Sequence, residues 1–348
     1  MPKIDFYKLK QSEKEAIFNE IATLEGMKPF AVEKDWWVSL TLEIIFQMGI
    51  STHLVFKGGT SLSKAWKLIN RFSEDIDLAI DMDFFITPTK NWSKSERTRL
   101  RKKAGKYSTE IFFQQLQQEF NQRGYSELKF KIIETNEIDK DPRILEIFYP
   151  NIIGLETDYI LPRVQIDVSC RSLREPYTIK MLGSLVDEVY KDKDFAEPLF
   201  TVPTVIPERT FLEKLFLLHE EFHRPAEKMR LDRLSRHIYD VYHLTKAGIA
   251  KNAISDQELY ETIVQHRYKF SKIGGVNYNA HNPKTINPIP PENVIKDWES
   301  DYTKMREDMI YEQNPPTFVD LIDCLKEIRE QLKSVNWEFD LRFPNTEI

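Results

Sequence analysis

Residues 53–81 decide the fold: His53-Leu-Val-Phe-Lys57-Gly58-Gly59-Thr60-Ser61-Leu62, then, after nine residues, Phe72-Ser-Glu-Asp75-Ile76-Asp77-Leu78-Ala-Ile80-Asp81. The run from His53 to Phe56 predicts a short strand that breaks on two glycines. Residues 61–69 then place Leu62, Ala65, Trp66 and Ile69 on one side of a short helix. From 75 to 81 the pattern alternates, with Ile76, Leu78 and Ile80 on one face and Asp75, Asp77 and Asp81 on the other. Glycine pairs let a backbone approach a ligand closely, and a new helix offers unpaired N–H groups to phosphate. Thr60 and Ser61 add hydroxyls that could donate to a ligand or cap the helix. Taken alone, the turn fits a tight backbone reversal as well as it fits a phosphate cradle.

The two aspartates tip the balance. Two apart on a strand, their carboxylates leave the same face about 6–7 Å apart. Unpaired anions at that spacing repel, and a divalent cation resolves the conflict. A solvated face on an edge strand is the plain alternative. It weakens here because one short helix brings the Asp-x-Asp strand back beside the glycine turn. Asp167, in Arg163-Val-Gln-Ile-Asp167-Val-Ser169, shares a face with Arg163, Gln165 and Ser169. If strand 162–169 pairs with 75–81, Asp167 joins the other two as a metal ligand; otherwise it is an ordinary surface residue. Two metals on such a triad can activate an attacking hydroxyl and stabilise a pyrophosphate leaving group.

The rest of the chain frames this core. Its 348 residues, 41% hydrophobic and 30% charged, suit one large or two modest domains. A net charge of -6 argues against a protein that coats nucleic acid indiscriminately but leaves room for a local basic groove. Cys170 and Cys324 lack metal-ligand spacing and read as buried free thiols. Seven histidines show no ligand spacing beyond a loose His219/His223 pair. Met1 to Lys10 has no apolar leader, and no run approaches the roughly 18 apolar residues of a membrane helix, so a cytoplasmic protein is expected.

Helical spacing covers 12–24, 34–48 and 94–122, with further strands at 127–134, 144–149 and 162–169. Pro198, Pro203 and Pro207 read as a linker, followed by helices at 208–222, 230–246 and 318–335 and an irregular stretch at 272–298. The expected plan is α+β, with residues 1–205 as N-terminal helices and catalytic core and 206–348 as a helical domain completing the nucleotide cleft. The segment 94–122 is an inserted helix with a basic start.

Gly58-Gly59-Thr60-Ser61 followed by Phe72-Ser-Glu-Asp-Ile-Asp-Leu78 resembles the signature of the DNA polymerase β-like nucleotidyltransferase superfamily. More closely, the chain resembles the AbiEii/AbiGii toxins of type IV abortive-infection systems, a family that includes the MenT toxins. Four blocks carry the resemblance: Glu33-Lys-Asp-Trp-Trp-Val38, Val55-Phe-Lys-Gly-Gly-Thr-Ser-Leu62 with the Asp-x-Asp strand, Glu208-Arg-Thr-Phe-Leu-Glu-Lys-Leu215, and Arg236-His-Ile-Tyr-Asp-Val-Tyr-His-Leu244. Residues 250–348 carry no matching motif.

The resemblance implies a polymerase β-like mixed sheet with flanking helices. It implies Mg²⁺ or Mn²⁺ on Asp75, Asp77 and Asp167, and an NTP held by Lys57, Gly58, Gly59, Thr60, Ser61 and Lys214. By its residues alone, Lys214 fits a snorkelling side chain as well as a phosphate ligand; the family's functional lysine on this helix favours the second. Asp240 could simply pair with Arg236 one turn earlier, whereas the family places an active-site aspartate at this block. The Glu33-Lys34-Asp35 block reads as a structural clamp.

The family further implies nucleotide transfer with release of pyrophosphate, possible acceptors including the tRNA 3′ end, and a cognate antitoxin that need not bind the toxin. Arg97, Arg101, Lys102 and Lys103, with Arg230 and Arg233 in a second basic cluster, are the nucleic-acid candidates, set against an ordinary solvated face. Transfer to a protein or small molecule, or a catalytically silent nucleotide-binding regulator, are the rival readings.

Overall fold

A computed structural model of the protein describes residues 5–86, 92–137, 140–154 and 161–344; residues 1–4 of the N-terminal stretch read above lie outside them. The chain divides into two compact units, 1–65 with 72–205 and 66–71 with 206–348. Among the described residues no helix is long and apolar enough to cross a membrane. Cys170 and Cys324 are free and buried.

The first unit is built on a seven-stranded mixed sheet with flanking helices, an α+β architecture. In chain order its elements are α1 (Gln11–Glu25), α2 (Pro29–Gln47), β1 (Leu54–Lys57), α3 (Gly58–Lys64), β2 (Asp75–Ile80), α4 (Lys94–Lys106), α5 (Phe113–Gln122), β3 (Lys129–Ile132), β4 (Arg143–Phe148), β5 (Arg163–Ser169), β6 (Tyr177–Leu182), α6 (Leu185–Val189) and β7 (Phe200–Val205). The strand order is β3-β4-β5-β2-β1-β7-β6. The alternation in β2 and β5 works as expected: Ile76, Leu78, Ile80, Val164 and Ile166 are fully buried. Each such side chain contributes about 1.5–3 kcal/mol, and their burial turns the intervening aspartates to the opposite face.

Helix α2 buries thirteen of its nineteen residues and packs against β5 and β7, so it is a core helix rather than an amphipathic one. The Glu33-Lys34-Asp35 block therefore lies inside the helix, one turn past its start at Pro29. Glu33 accepts from the N–H groups of Ile152 and Ile153 at 2.8 and 3.1 Å. Lys34 donates to Glu74 and, at 3.0 Å, to the Leu161 carbonyl. Asp35 pairs with Lys64 and accepts from the Leu185 N–H at 2.8 Å. Each residue of the block holds a different segment.

Three expectations change. Helix α3 starts on the glycines and ends at Lys64, so residues 65–69 are not its last turns; Lys67 takes a left-handed φ of 54° and breaks it. The helix over 94–122 contains a π turn at Tyr107–Phe112. There the Ser108 and Thr109 hydroxyls bond back to the carbonyls of Ala104 and Gly105 at 2.9 and 3.0 Å, competing with the regular backbone ladder. The proline-marked linker is in fact strand β7, with Pro203 opposite Ile179 of β6. A proline has no N–H to give, and β7 tolerates one because its other ladder, to β1, registers only at Thr204.

The second unit is helical: α7 (Pro207–Phe222), α8 (Ser235–Lys246), α9 (Ile249–Ser255), α10 (Gln257–Phe270), α11 (Ile295–Asp308) and α12 (Phe318–Lys333). Helices α9, α10 and α11 lie where the sequence had offered no periodic signal strong enough to name. On α12, Leu321, Leu325, Ile328 and Leu332 form one buried stripe, and a Thr317/Asp320 capping box starts the helix. Fully buried Trp298 packs edge-on against Phe222 at 4.7 Å.

Candidate active site

In the first unit, β2 runs parallel to β5 and antiparallel to β1. The register sets Asp77 beside Asp167 on one side and Lys57 on the other, and Asp75 beside Gln165. All three aspartates therefore share one face, as strand pairing of 162–169 with 75–81 requires. A chain of polar contacts fixes that face: Arg163 pairs with Glu146 and donates to Gln165 at 2.8 Å, and Gln165 Nε2 donates to Asp167 Oδ1 at 3.0 Å. Burial, together with the Asp77 and Asp75 carboxylates, pushes the Asp167 carboxyl up to about 7; Gln165 and Lys57 oppose the rise.

The glycine turn stands against the same carboxylates. Gly58 has φ +80°, and a Cβ at this position would collide with Asp77 Oδ2 and stand 2.7 Å from its Cγ. Only glycine allows both that conformation and that approach. Thr60 and Ser61 are buried and their hydroxyls serve the backbone: Thr60 donates to the Asp75 carbonyl at 2.5 Å and Ser61 to the Gly58 carbonyl at 2.8 Å. Thr60 thus ties the turn to the start of the Asp-x-Asp strand. Lys34 is paired with Glu74, the residue before Asp75.

Among the described residues no group of three or more His, Cys, Asp or Glu side chains is set to hold a metal ion, so the three aspartates do not form a closed cage. Magnesium does not require one, because it is commonly held by one or two carboxylates with phosphate oxygens and water. The donor set fits such an ion: hard oxygens on one face, with one carboxyl raised by burial and by its neighbours' charge.

Lys214 and Asp240 meet in the second unit. Asp240 is fully buried and takes the Lys214 ammonium at 2.8 Å. Its other partner is Arg71, whose Nε and Nη2 each donate at 2.7 Å. The pairing of Asp240 with Arg236 is thus replaced by a residue 169 positions away, one that no spacing rule singles out. Lys214 Nζ also lies 3.4 Å from His237 Nδ1. Burial alone would raise the Asp240 carboxyl, but Arg71 and Lys214 hold it well below the usual carboxylate range. Burial lowers Lys214, and Asp240 opposes that while Arg71 adds to it.

A second buried network lies along α7. Glu220 accepts from Arg267, including Nε at 2.8 Å, and its Oε1 lies 3.2 Å from His281 Nε2. Burial works to raise Glu220, yet Arg267 and His281 bring it down to about 2. Its folded value is below its unfolded one, so its stabilisation is present above about pH 4.3 and is lost as the pH falls toward 2. Glu220→Gln is expected to destabilise the helical unit by about 3 kcal/mol at pH 7, with parent and variant converging near pH 2 in urea titrations.

The basic candidates differ in availability. Lys102 and Lys103 are exposed on α4, together with Lys94, Arg99 and Lys106, and Lys103 donates to the Phe85 carbonyl at 3.3 Å. Arg97 donates to the Trp92 carbonyl at 2.8 Å, and Arg101 to Thr98 at 3.3 Å. In the second cluster, Arg230 pairs with buried Glu221, which also takes nearby Arg224 and offsets part of the local charge. Arg233 holds Asp301 through its backbone N–H at 2.7 Å.

Comparison with known proteins completes the assignment. No curated protein sequence matches the chain. Among solved structures, it is similar to MenT4, a nucleotidyltransferase toxin of Mycobacterium tuberculosis H37Rv, at 15% identity and a TM-score of 0.46, over 94% of this chain and 100% of that one. It is also similar to JHP933 of Helicobacter pylori at 14% identity and a TM-score of 0.40, over 87% and 93% of the two chains. Those likenesses are too distant to speak for activity. The family model described as "Nucleotidyl transferase AbiEii toxin, Type IV TA system" matches residues 42–324, and the chain belongs to that family.

Proposed function

We propose that the protein transfers a nucleotide from an NTP to an acceptor hydroxyl, with release of pyrophosphate, and that the acceptor is RNA, such as a tRNA 3′ end. Membership of a nucleotidyl transferase toxin family supports the reaction class. The observation that carries the chemistry is the face shared by Asp75, Asp77 and Asp167 with Gly58 close against Asp77. Asp75 and Asp77, with Asp167 beside them, would hold Mg²⁺ or Mn²⁺. When bound, such an ion supplies charge stabilisation at the reacting phosphate and lowers the pKa of a coordinated hydroxyl. Gly58 and Gly59 would let phosphate approach the backbone, and Lys57 beside them would offset its charge; in the second unit, Lys214 is the phosphate candidate. In the metal-free protein, burial and the Asp77 and Asp75 charges raise the Asp167 carboxyl, a conflict that a cation bound at this face would relieve.

Exposed Lys102 and Lys103 on α4 support a phosphate-backbone contact, and binding through such residues weakens steeply with salt. A cytoplasmic location and a cognate antitoxin accord with the family's type IV toxin–antitoxin context. Incubation with each labelled NTP and total RNA tests the acceptor: label should enter an RNA band. Label found on protein, with none on RNA, would overturn the RNA reading. Gly58→Ala should lower transfer about 100-fold, because it displaces the Asp77 carboxylate. Single-turnover rates compared with the parent check this, and a loss of less than threefold would remove Gly58 from the site.

A further inference from the structure

We propose that Arg71 is a positioning residue for nucleotide binding: by taking up the charge of Asp240, it leaves the Lys214 ammonium available to a triphosphate. The inference rests on the nucleotidyl-transfer reading and adds to it a residue that lies outside the motif blocks. Arg71, Asp240 and Lys214 are exposed by 2%, 0% and 8%. One carboxylate thus serves two buried cations. Asp240 is also the one carboxylate among the groups acting most strongly on either of them. The formal balance of the trio is one positive charge, which an anion reaching it would offset. Of the three, Lys214 is the most exposed, so an anion would approach the cluster from the Lys214 side.

The geometry divides the labour. Arg71 binds Asp240 through two parallel N–H···O bonds of 2.7 Å, the fork arrangement that most fully occupies a carboxylate. Lys214 reaches the same carboxylate through Oδ2, at 2.8 Å. Asp240 can therefore aim the lysine without fully neutralising it. If Arg71 were removed, the whole charge of Asp240 would face Lys214 and compete with phosphate. The groups facing Lys214 are Asp240, His237 and Arg236 from α8, with Arg71 from the 66–71 segment. On α10, Arg267 engages Glu220 and His266 lies under the influence of Arg209 and Glu213, while Lys251, the titratable residue of α9, is exposed.

The test is the binding of MgATP, MgCTP, MgGTP and MgUTP to the full chain between pH 6 and 10, followed by calorimetry for the parent, Arg71→Met and Arg71→Lys. Arg71→Met should weaken the preferred nucleotide at least tenfold. It should also move the alkaline limb of binding to higher pH, since Arg71 no longer helps Lys214 lose its proton. Arg71→Lys keeps the charge and should lose only a few-fold, with the limb unmoved. A merely structural role would reduce the active fraction while leaving the dissociation constant and the limb in place. Parent-like affinity and limb in Arg71→Met would overturn the proposal, as would equal losses in the two variants. If the parent binds none of the four nucleotides, the transfer reading falls and this inference falls with it.

Discussion

Asp77→Asn is expected to lower nucleotidyl transfer roughly 1000-fold and, at the same time, to make the metal-free protein more stable above neutral pH. The activity loss follows from the proposed metal face, where removing one of two closely spaced carboxylates forfeits several kcal/mol of charge stabilisation. The stability gain follows from Asp167. Its folded carboxyl, pushed up to about 7 by burial, Asp77 and Asp75, lies above its unfolded value near 3.9. A raised value means the folded state holds the proton more tightly. The metal-free parent should therefore lose stability as the pH rises from about 4 through 7, by an amount on the order of a few kcal/mol. Neutralising Asp77 removes one source of that rise, so the variant's loss should be about 1 kcal/mol smaller. Urea titrations at pH 5 and 8, with and without Mg²⁺, read both effects. Magnesium should restore stability to the parent at pH 8 and do little for the variant. A variant within tenfold of parental activity would exclude Asp77 from the reaction.

Asp240→Ala should produce the largest loss of stability, about 3–5 kcal/mol, because it leaves the Arg71 and Lys214 cations buried without their common carboxylate. The sign with pH is opposite to that of Asp167. The folded carboxyl of Asp240 is depressed, so its contribution is present above about pH 3.9 and is lost as the pH falls through its folded value. Chemical denaturation followed by far-UV circular dichroism at pH 7 and pH 3 should show the parent approaching the variant in acid. An Asp240→Ala protein as stable as the parent at pH 7 would mean that this triad does not hold the helical unit together.

The candidate site was legible where chemistry and local periodicity coincide. In β2 and β5, alternation sets the faces, so Asp75, Asp77 and Asp167 could be placed on one surface once the two strands paired. In the glycine turn, the need for a left-handed residue explains Gly58, but its closeness to Asp77 appears only when β1 and β2 are paired. Strand β7 was hidden by Pro203, because a proline is read locally as a break while its tolerance depends on where the ladders to β6 and β1 register. Thr60 and Ser61 looked like ligand donors, yet their hydroxyls hold the turn to itself and to β2.

What the amino-acid order determined by itself was therefore the mixed α+β plan, the glycine turn, the acidic face and the helices with a clear apolar stripe. These depend on patterns of two to four residues, the range over which backbone geometry repeats. Tertiary structure alone decided that Asp240 answers to Arg71 rather than to Arg236, and that Lys34 answers to Glu74. Such pairings join residues far apart in the chain, and burial selects them by strengthening the attraction between opposite charges while penalising any left unpaired.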